Sequence, residues 1–176
     1  MSRLKYNGVV VGALILGLAL GVAWAKNATV ESEMYVGKSP KEAGAALQAL
    51  AEQQVGKGTW ERIAVARVYF LSDQMAKGQA IFDAIAADGE PSDWIRMGRV
   101  YNEMGDWPKA KDAFDRVLAK KPKDEDWLAE IGSYYNLHGD RDAAEELFRR
   151  SFAEDAGNYR NTSMVAGSYL GVQPDP

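Results

Sequence analysis

His138 is the only histidine of the chain, and cysteine is absent. An imidazole is the side chain best suited to proton transfer or metal binding near neutral pH. A metal needs several such donors, and here neither a second histidine nor a thiolate can share one. His138 lies in a short turn before Gly139-Asp140 and reads as a plain surface residue. The densest carboxylates are Asp124, Glu125 and Asp126. Paired carboxylates with separated pKa values could do acid/base chemistry. These three begin a helix, where negative charge complements the helix dipole. The glycine pattern of a calcium loop is missing, as are a nucleophile elbow and a phosphate-binding loop. The residue types point away from an enzyme, and imply no metal, no cofactor and no small-molecule substrate.

The charge pattern narrows the partners. The net charge is −4 with both signs mixed throughout. No basic stripe exists to neutralise phosphates, so nucleic acid is not an expected partner. The lack of cysteine removes disulfides, thiolate chemistry and a lipid-modified cysteine together, and fits an oxidising compartment.

What remains is a repeat. Tyr69, Tyr101, Tyr135 and Tyr169 are spaced 32, 34 and 34 residues apart. Phe82, Phe114 and Phe148 run beside them at 32 and 34. A period near 34 predicts an all-α fold of stacked helical hairpins. Small residues fall at fixed register: Ala66, Gly98 and Gly132 on first helices, and Gly78, Ala110 and Ala144 on second helices. Glycine inside a helix costs about 1 kcal/mol relative to alanine, so it implies close helix approach. Gly98→Leu is accordingly expected to disrupt the pairing of helices by overpacking.

The punctuation divides residues 39–171 into a half unit (39–58), three units (59–90, 91–124 and 125–158) and a terminal helix (159–171). Residues 172–176 are a tail. Ser39-Pro40-Lys41-Glu42 predicts a capping box with proline in the first turn. Ser92 or Asp93, Asp106, Asp124, Asp140 and Asn158 are the expected caps of later helices. Trp94 reads as core, Trp107 and Trp127 as packing between hairpins, and Trp60 as the best exposed contact. Asn27-Ala28-Thr29 and Asn161-Thr162-Ser163 fit the short glycosylation triplet.

Residues 1–25 carry a different signal. Arg3 and Lys5 precede an uncharged stretch from Tyr6 to Ala25, which ends in Ala23-Trp24-Ala25. This describes a secretory signal peptide cleaved before Lys26. The same stretch can also just span a bilayer as one hydrophobic helix. Ala13, Gly17, Gly21 and Ala25 would then form a ridge of small residues for another membrane helix. In both readings the preceding positive charges leave the body of the chain outside the cytoplasm. Residues 26–38 are polar and read as a linker.

These residues resemble the tetratricopeptide repeat family, whose pattern is Trp-x2-Leu-Gly-x2-Tyr, Ala-x3-Phe and then Pro. Trp94, Met97, Gly98, Tyr101, Ala110, Phe114 and Pro122 match it nearly throughout. Leu128, Ile131, Gly132, Tyr135, Ala144 and Phe148 follow, with Ala156 in the proline place. Val65, Ala66, Tyr69, Gly78 and Phe82 match more weakly, with Arg62 in the tryptophan place. The resemblance implies an α-solenoid, no catalysis and a protein or peptide partner held on the face of the first helices. Carried over by position, that face comprises Trp60, Ile63, Arg67 and Phe70, then Ile95, Arg99, Asn102 and Glu103, then Ala129, Ser133, Asn136 and Leu137. Arginine beside asparagine could hold a peptide backbone or a carboxylate; the alternative is a merely solvated face. Arg99→Ala is expected to weaken partner binding and leave stability nearly unchanged. One subgroup of the family clamps a terminal carboxylate with lysine and asparagine. Here Ile63, Arg67, Ile95, Arg99, Ala129 and Ser133 hold the matching places, and the clamp is not reproduced.

The layout is similar to that of bacterial membrane-anchored or periplasmic members of the family. It implies an accessory subunit or assembly factor of an inner-membrane complex, with its repeats in the periplasm and its anchor against the transmembrane helices of a larger complex. The alternative is a cleaved, soluble periplasmic module, for example in cytochrome c maturation or envelope assembly.

Overall fold

A computed structural model describes residues 28–174. The apolar stretch expected as signal or anchor, with Ala13, Gly17, Gly21 and Ala25, lies outside the described residues, as does Asn27. Among the described residues there are eight α-helices and no strand. None of these helices is long and apolar enough to cross a membrane. The chain divides into two units between Gly56 and Lys57.

The first unit contains α1 (Pro40–Gln54), preceded by a 3-10 turn at Ser32–Met34. Its start is the expected capping box. Ser39 Oγ accepts from the Glu42 amide at 3.4 Å, and the Ser39 amide donates to Glu42 Oε2 at 3.0 Å. Ser39 Oγ also donates to Glu42 Oε2 at 2.7 Å, and that bond first, with the Ser39 amide second, holds the Glu42 carboxyl below its usual pKa. Gln54 Nε2 donates to the Ala28 carbonyl at 2.8 Å, tying the end of α1 to the preceding segment.

The second unit stacks three hairpins and a single helix. The hairpins are α2 (Thr59–Leu71) with α3 (Met75–Ala86), α4 (Pro91–Glu103) with α5 (Trp107–Lys120), and α6 (Glu125–Leu137) with α7 (Arg141–Glu154). The last helix, α8 (Tyr159–Tyr169), packs on α6. Close approach occurs where the glycines sit. A Cβ on Gly98 would meet Phe114 Cε1 at 2.4 Å, and one on Gly132 would meet Phe148 Cε1 at 2.7 Å. The first hairpin inverts this arrangement. There the second-helix Gly78 receives the first-helix ring, with Phe70 Cγ at 2.8 Å from a Cβ built on it. Phe70 and Phe82 then meet edge to face at 4.9 Å.

The tyrosine ladder joins successive hairpins. Tyr69, Tyr101 and Tyr135 have buried bodies, a large apolar contribution for rings of this size. The hydroxyls of Tyr101, Tyr135 and Tyr169 reach backward. Gln79 Nε2 on α3 donates to the Tyr101 hydroxyl at 3.0 Å, the Tyr135 hydroxyl donates to Asp115 on α5, and the Tyr169 hydroxyl donates to Glu145 on α7 at 3.2 Å. Burial first, and the Asp115 carboxylate second, push the Tyr135 phenol up to about 12.

Helix ends follow one plan with a few departures. Gly105, Gly139 and Gly171 take positive φ (78°, 85° and 78°) after α4, α6 and α8. Each permits a left-handed C′ residue, so that the following amide bonds back to the third-last carbonyl of the helix. Asp106 N donates to Tyr101 O at 2.9 Å, Asp140 N to Tyr135 O at 3.0 Å, and Val172 N to Gly167 O at 2.9 Å. After α2 the same place holds Asp73, with φ of 60°. The second departure is at α4, where Glu90 is the N-cap rather than Ser92 or Asp93. Asp93 instead lies within the first turn, buried. Its carboxylate accepts from the Glu90 amide at 3.1 Å and from Thr59 Oγ1 at 2.6 Å, linking the starts of α2 and α4. Asp106, Asp124 and Asn158 cap as expected through their side chains, whereas Asp140 is an N-cap without a side-chain bond. Asn161, of the second glycosylation triplet, is wholly buried.

Candidate interaction face

The first helices α2, α4 and α6 share one face, and the side chains that reach it are long and charged. Arg67 on α2 crosses to Glu103 on α4 as a two-pronged ion pair. Their side chains stay 47% and 39% exposed. The pairing holds the Arg67 guanidinium above its ordinary pKa. Arg99 on α4 crosses to Glu130 on α6, with both bonds at 2.7 Å. This pair is deeper, with side chains 27% and 5% exposed. Two parallel N–H···O bonds fix geometry as well as charge, which suits arginine and not lysine.

Trp60 is 54% exposed, with the Arg96 guanidinium 3.7 Å from its ring centroid. A cation at that distance is held by the ring quadrupole and extends its flat surface. Burial, and then the neighbouring Arg99 charge, lower the Arg96 pKa. Trp60, Ile63, Arg67, Arg96 and Arg99 line a cleft of about 330 Å³ between α2 and α4. A second cleft of about 730 Å³ lies next to it, lined by Arg67, Arg99, Asn102, Glu103, Tyr134, Gln173 and Pro174. Burial, reinforced by the Glu130 carboxylate, raises the Tyr134 phenol above its ordinary pKa.

Asn102 is held from behind. Its Oδ1 faces His138 Nε2 at 2.6 Å, so that nitrogen carries the proton and donates. The His138 ring stacks on Trp107 with centroids 3.9 Å apart and planes 9° apart. Desolvation against this surface lowers the His138 pKa. The lone histidine is a surface residue, as expected, and its ring is engaged by Trp107 and Asn102.

Of the residues expected on this face, Trp60, Arg67, Arg99, Asn102 and Glu103 come together around the two clefts. Phe70, Ile95 and Ser133 do not reach it, being 4%, 1% and 0% exposed. Phe70 turns inward to fill the space above Gly78. Ile95 joins the apolar core, and Ser133 Oγ donates to the Ala129 carbonyl at 2.8 Å. Asn136 is engaged by α8, donating from Nδ2 to Ser168 Oγ at 2.9 Å. The α6 portion of the expected face is therefore covered by the last helix. Arg96, Glu130, Tyr134 and Gln173 were not foreseen. A signal existed for Glu130, which is an acid 31 residues beyond Arg99 on the next first helix.

The opposite side of the stack is different in kind. Lys111–Asp115, Arg116–Asp112, Arg141–Glu145 and Arg149–Glu146 pair within their own helices, all at 40% side-chain exposure or more. Such pairs are worth about 0.3–0.5 kcal/mol each and describe a solvated surface. Among the described residues, no group of three or more His, Cys, Asp or Glu side chains is placed to hold a metal ion.

Residues 94–124, spanning α4 and α5, match the family model described as tetratricopeptide repeat. No curated protein and no solved structure matches the chain at a significant level.

Proposed function

We propose, for a chain that carries a tetratricopeptide repeat at residues 94–124, that the clefts between α2, α4 and the tail hold an extended segment of a protein partner. The observation that carries this is convergence. Arg67, Arg99, Asn102 and Glu103 meet beside an exposed tryptophan on one face, while the charges of the other side pair locally. Trp60 with Arg96 offers a flat anchor of the kind that dominates interface energetics. Asn102 offers an oriented amide for a main-chain or side-chain carbonyl.

The chain acts, in this reading, as a scaffold, accessory subunit or assembly factor outside a bacterial inner membrane. Support for that placement comes from Arg3 and Lys5 ahead of the uncharged stretch Tyr6–Ala25. A retained stretch would add a second contact, through Ala13, Gly17, Gly21 and Ala25, to transmembrane helices of the same complex. Two weak contacts on one chain raise the effective concentration of each. The triplet Ala23-Trp24-Ala25 supports the alternative of a cleaved, soluble module. Mass spectrometry of the native N-terminus separates them, since a mature chain starting at Lys26 removes the anchor.

Site-specific photo-crosslinking tests the face. A crosslinking amino acid at position 60 is expected to capture a protein partner in cells, and one at position 116 is not. Capture at 116 with none at 60 overturns the assignment.

A further inference from the structure

After α4 and α6, a left-handed glycine and its back-bonded amide lead straight into a second helix. After α8 the same turn is made by Gly171 and Val172, and there Val172–Pro174 run on without helical structure. The sequence accounts for this, since Pro174 lacks an amide proton and disfavours helical φ/ψ at Gln173 before it. The extended segment turns back onto the first-helix face. Val172 packs against Gly167, where an added Cβ would lie 3.5 Å from its own. Gln173 Oε1 accepts from Asn102 Nδ2 at 3.3 Å. Pro174 is buried although it lies in no helix, and it lines the larger cleft together with Tyr134 and Arg99.

The geometry points to Val172–Pro174 as a resident occupant of the groove, a strap of this chain that a partner segment must displace. The inference rests on the interaction reading above and adds its regulation. Asn102 is the latch. His138 occupies Oδ1 and the Trp107 stack fixes His138, so Nδ2 is left aimed at the tail. The bond to Gln173 thus fits an amide or carbonyl acceptor followed by proline. A partner with the same chemistry, an extended segment with a carbonyl acceptor before proline, competes for the same place. A short tether gives the resident segment an effective concentration on the order of millimolar, which attenuates ligands of micromolar affinity.

The test uses a fluorescein-labelled synthetic peptide with the sequence of residues 169–176, followed by anisotropy. It is titrated with the full chain, with the chain truncated after Gly171, and with the full-length Gln173→Ala/Pro174→Ala variant. The truncated chain and the double variant are expected to bind the peptide about tenfold more tightly than the full chain. Asn102→Asp in the truncated chain keeps an acceptor for His138 but loses the donor, and is expected to abolish binding. Should truncation disturb the helices by circular dichroism, the double variant carries the test. Equal affinity for the full chain and the double variant, or no binding to either, overturns the strap. Binding that survives Asn102→Asp overturns its location. Loss of crosslinking at position 60 in the full chain would instead remove the groove reading, so the two failures are distinguishable.

Discussion

Arg67 and Arg99 hold the same register on successive first helices, 32 residues apart, and do different things. Arg67 reaches one turn beyond its register on the next first helix, to Glu103, and stays in solvent. Arg99 reaches one turn short of its register, to Glu130, whose carboxylate is almost wholly withdrawn from solvent. Repeat position therefore sets where a side chain starts and not what it does. The burial of its partner decides that. An exposed pair in high dielectric is worth about 0–1 kcal/mol. Removing one member of a buried pair leaves a charge without compensation and costs about 3–5 kcal/mol.

The largest effect should come from breaking the deep pair. Arg99→Ala is expected to destabilise the chain by about 3–5 kcal/mol in urea unfolding, with much of the loss restored by adding Glu130→Gln. This replaces the expectation from sequence that Arg99→Ala would be structurally silent. A loss below 1 kcal/mol would mean that Glu130 is not confined as described.

Gly98→Leu comes next, at about 1–3 kcal/mol or more, because Phe114 already occupies the space a side chain would need. Here too the first hairpin differs, since Ala66 holds the matching place and Gly78 takes the close contact instead. Equal stability of Gly98→Leu and wild type in thermal melts would contradict the packing.

Asp73 sharpens the contrast in the opposite direction. It takes the left-handed conformation that Gly105 and Gly139 supply in the next two connectors. Asp73→Gly is expected to stabilise the chain by about 1 kcal/mol, the cost of that conformation for an L-residue. A lower melting temperature would show that the aspartate makes a compensating local contact.

The smallest effect on stability belongs to the exposed pair. Arg67→Ala should shift unfolding by about 0–1 kcal/mol, less at high salt. A larger change would erase the distinction between the two arginines.

The architecture was legible because its determinants are local or strictly periodic. Ser39 and Glu42 meet three residues apart, and Gly98 and Gly132 recur with the tyrosines. The face was half legible. Trp60, Arg67 and Asn102 follow from helical register alone. Phe70 did not, because its direction depends on whether glycine sits on the first or second helix of its hairpin. Ser133 and Asn136 were misjudged for a reason outside the repeat, since α8 covers α6 where another hairpin would leave it open. The role of Gln173 depends on a chain reversal that only Gly171 and Pro174 hint at.

In the proposed reading the open part of this face, and not its buried ion pair, carries partner recognition. The decisive measurement is the affinity of the partner, isolated with the full chain in mild detergent and identified, for wild type and for Trp60→Ala/Arg67→Ala. A loss of at least about tenfold (about 1.4 kcal/mol) with an unchanged melting temperature is expected. Unchanged affinity in a folded double variant would contradict it.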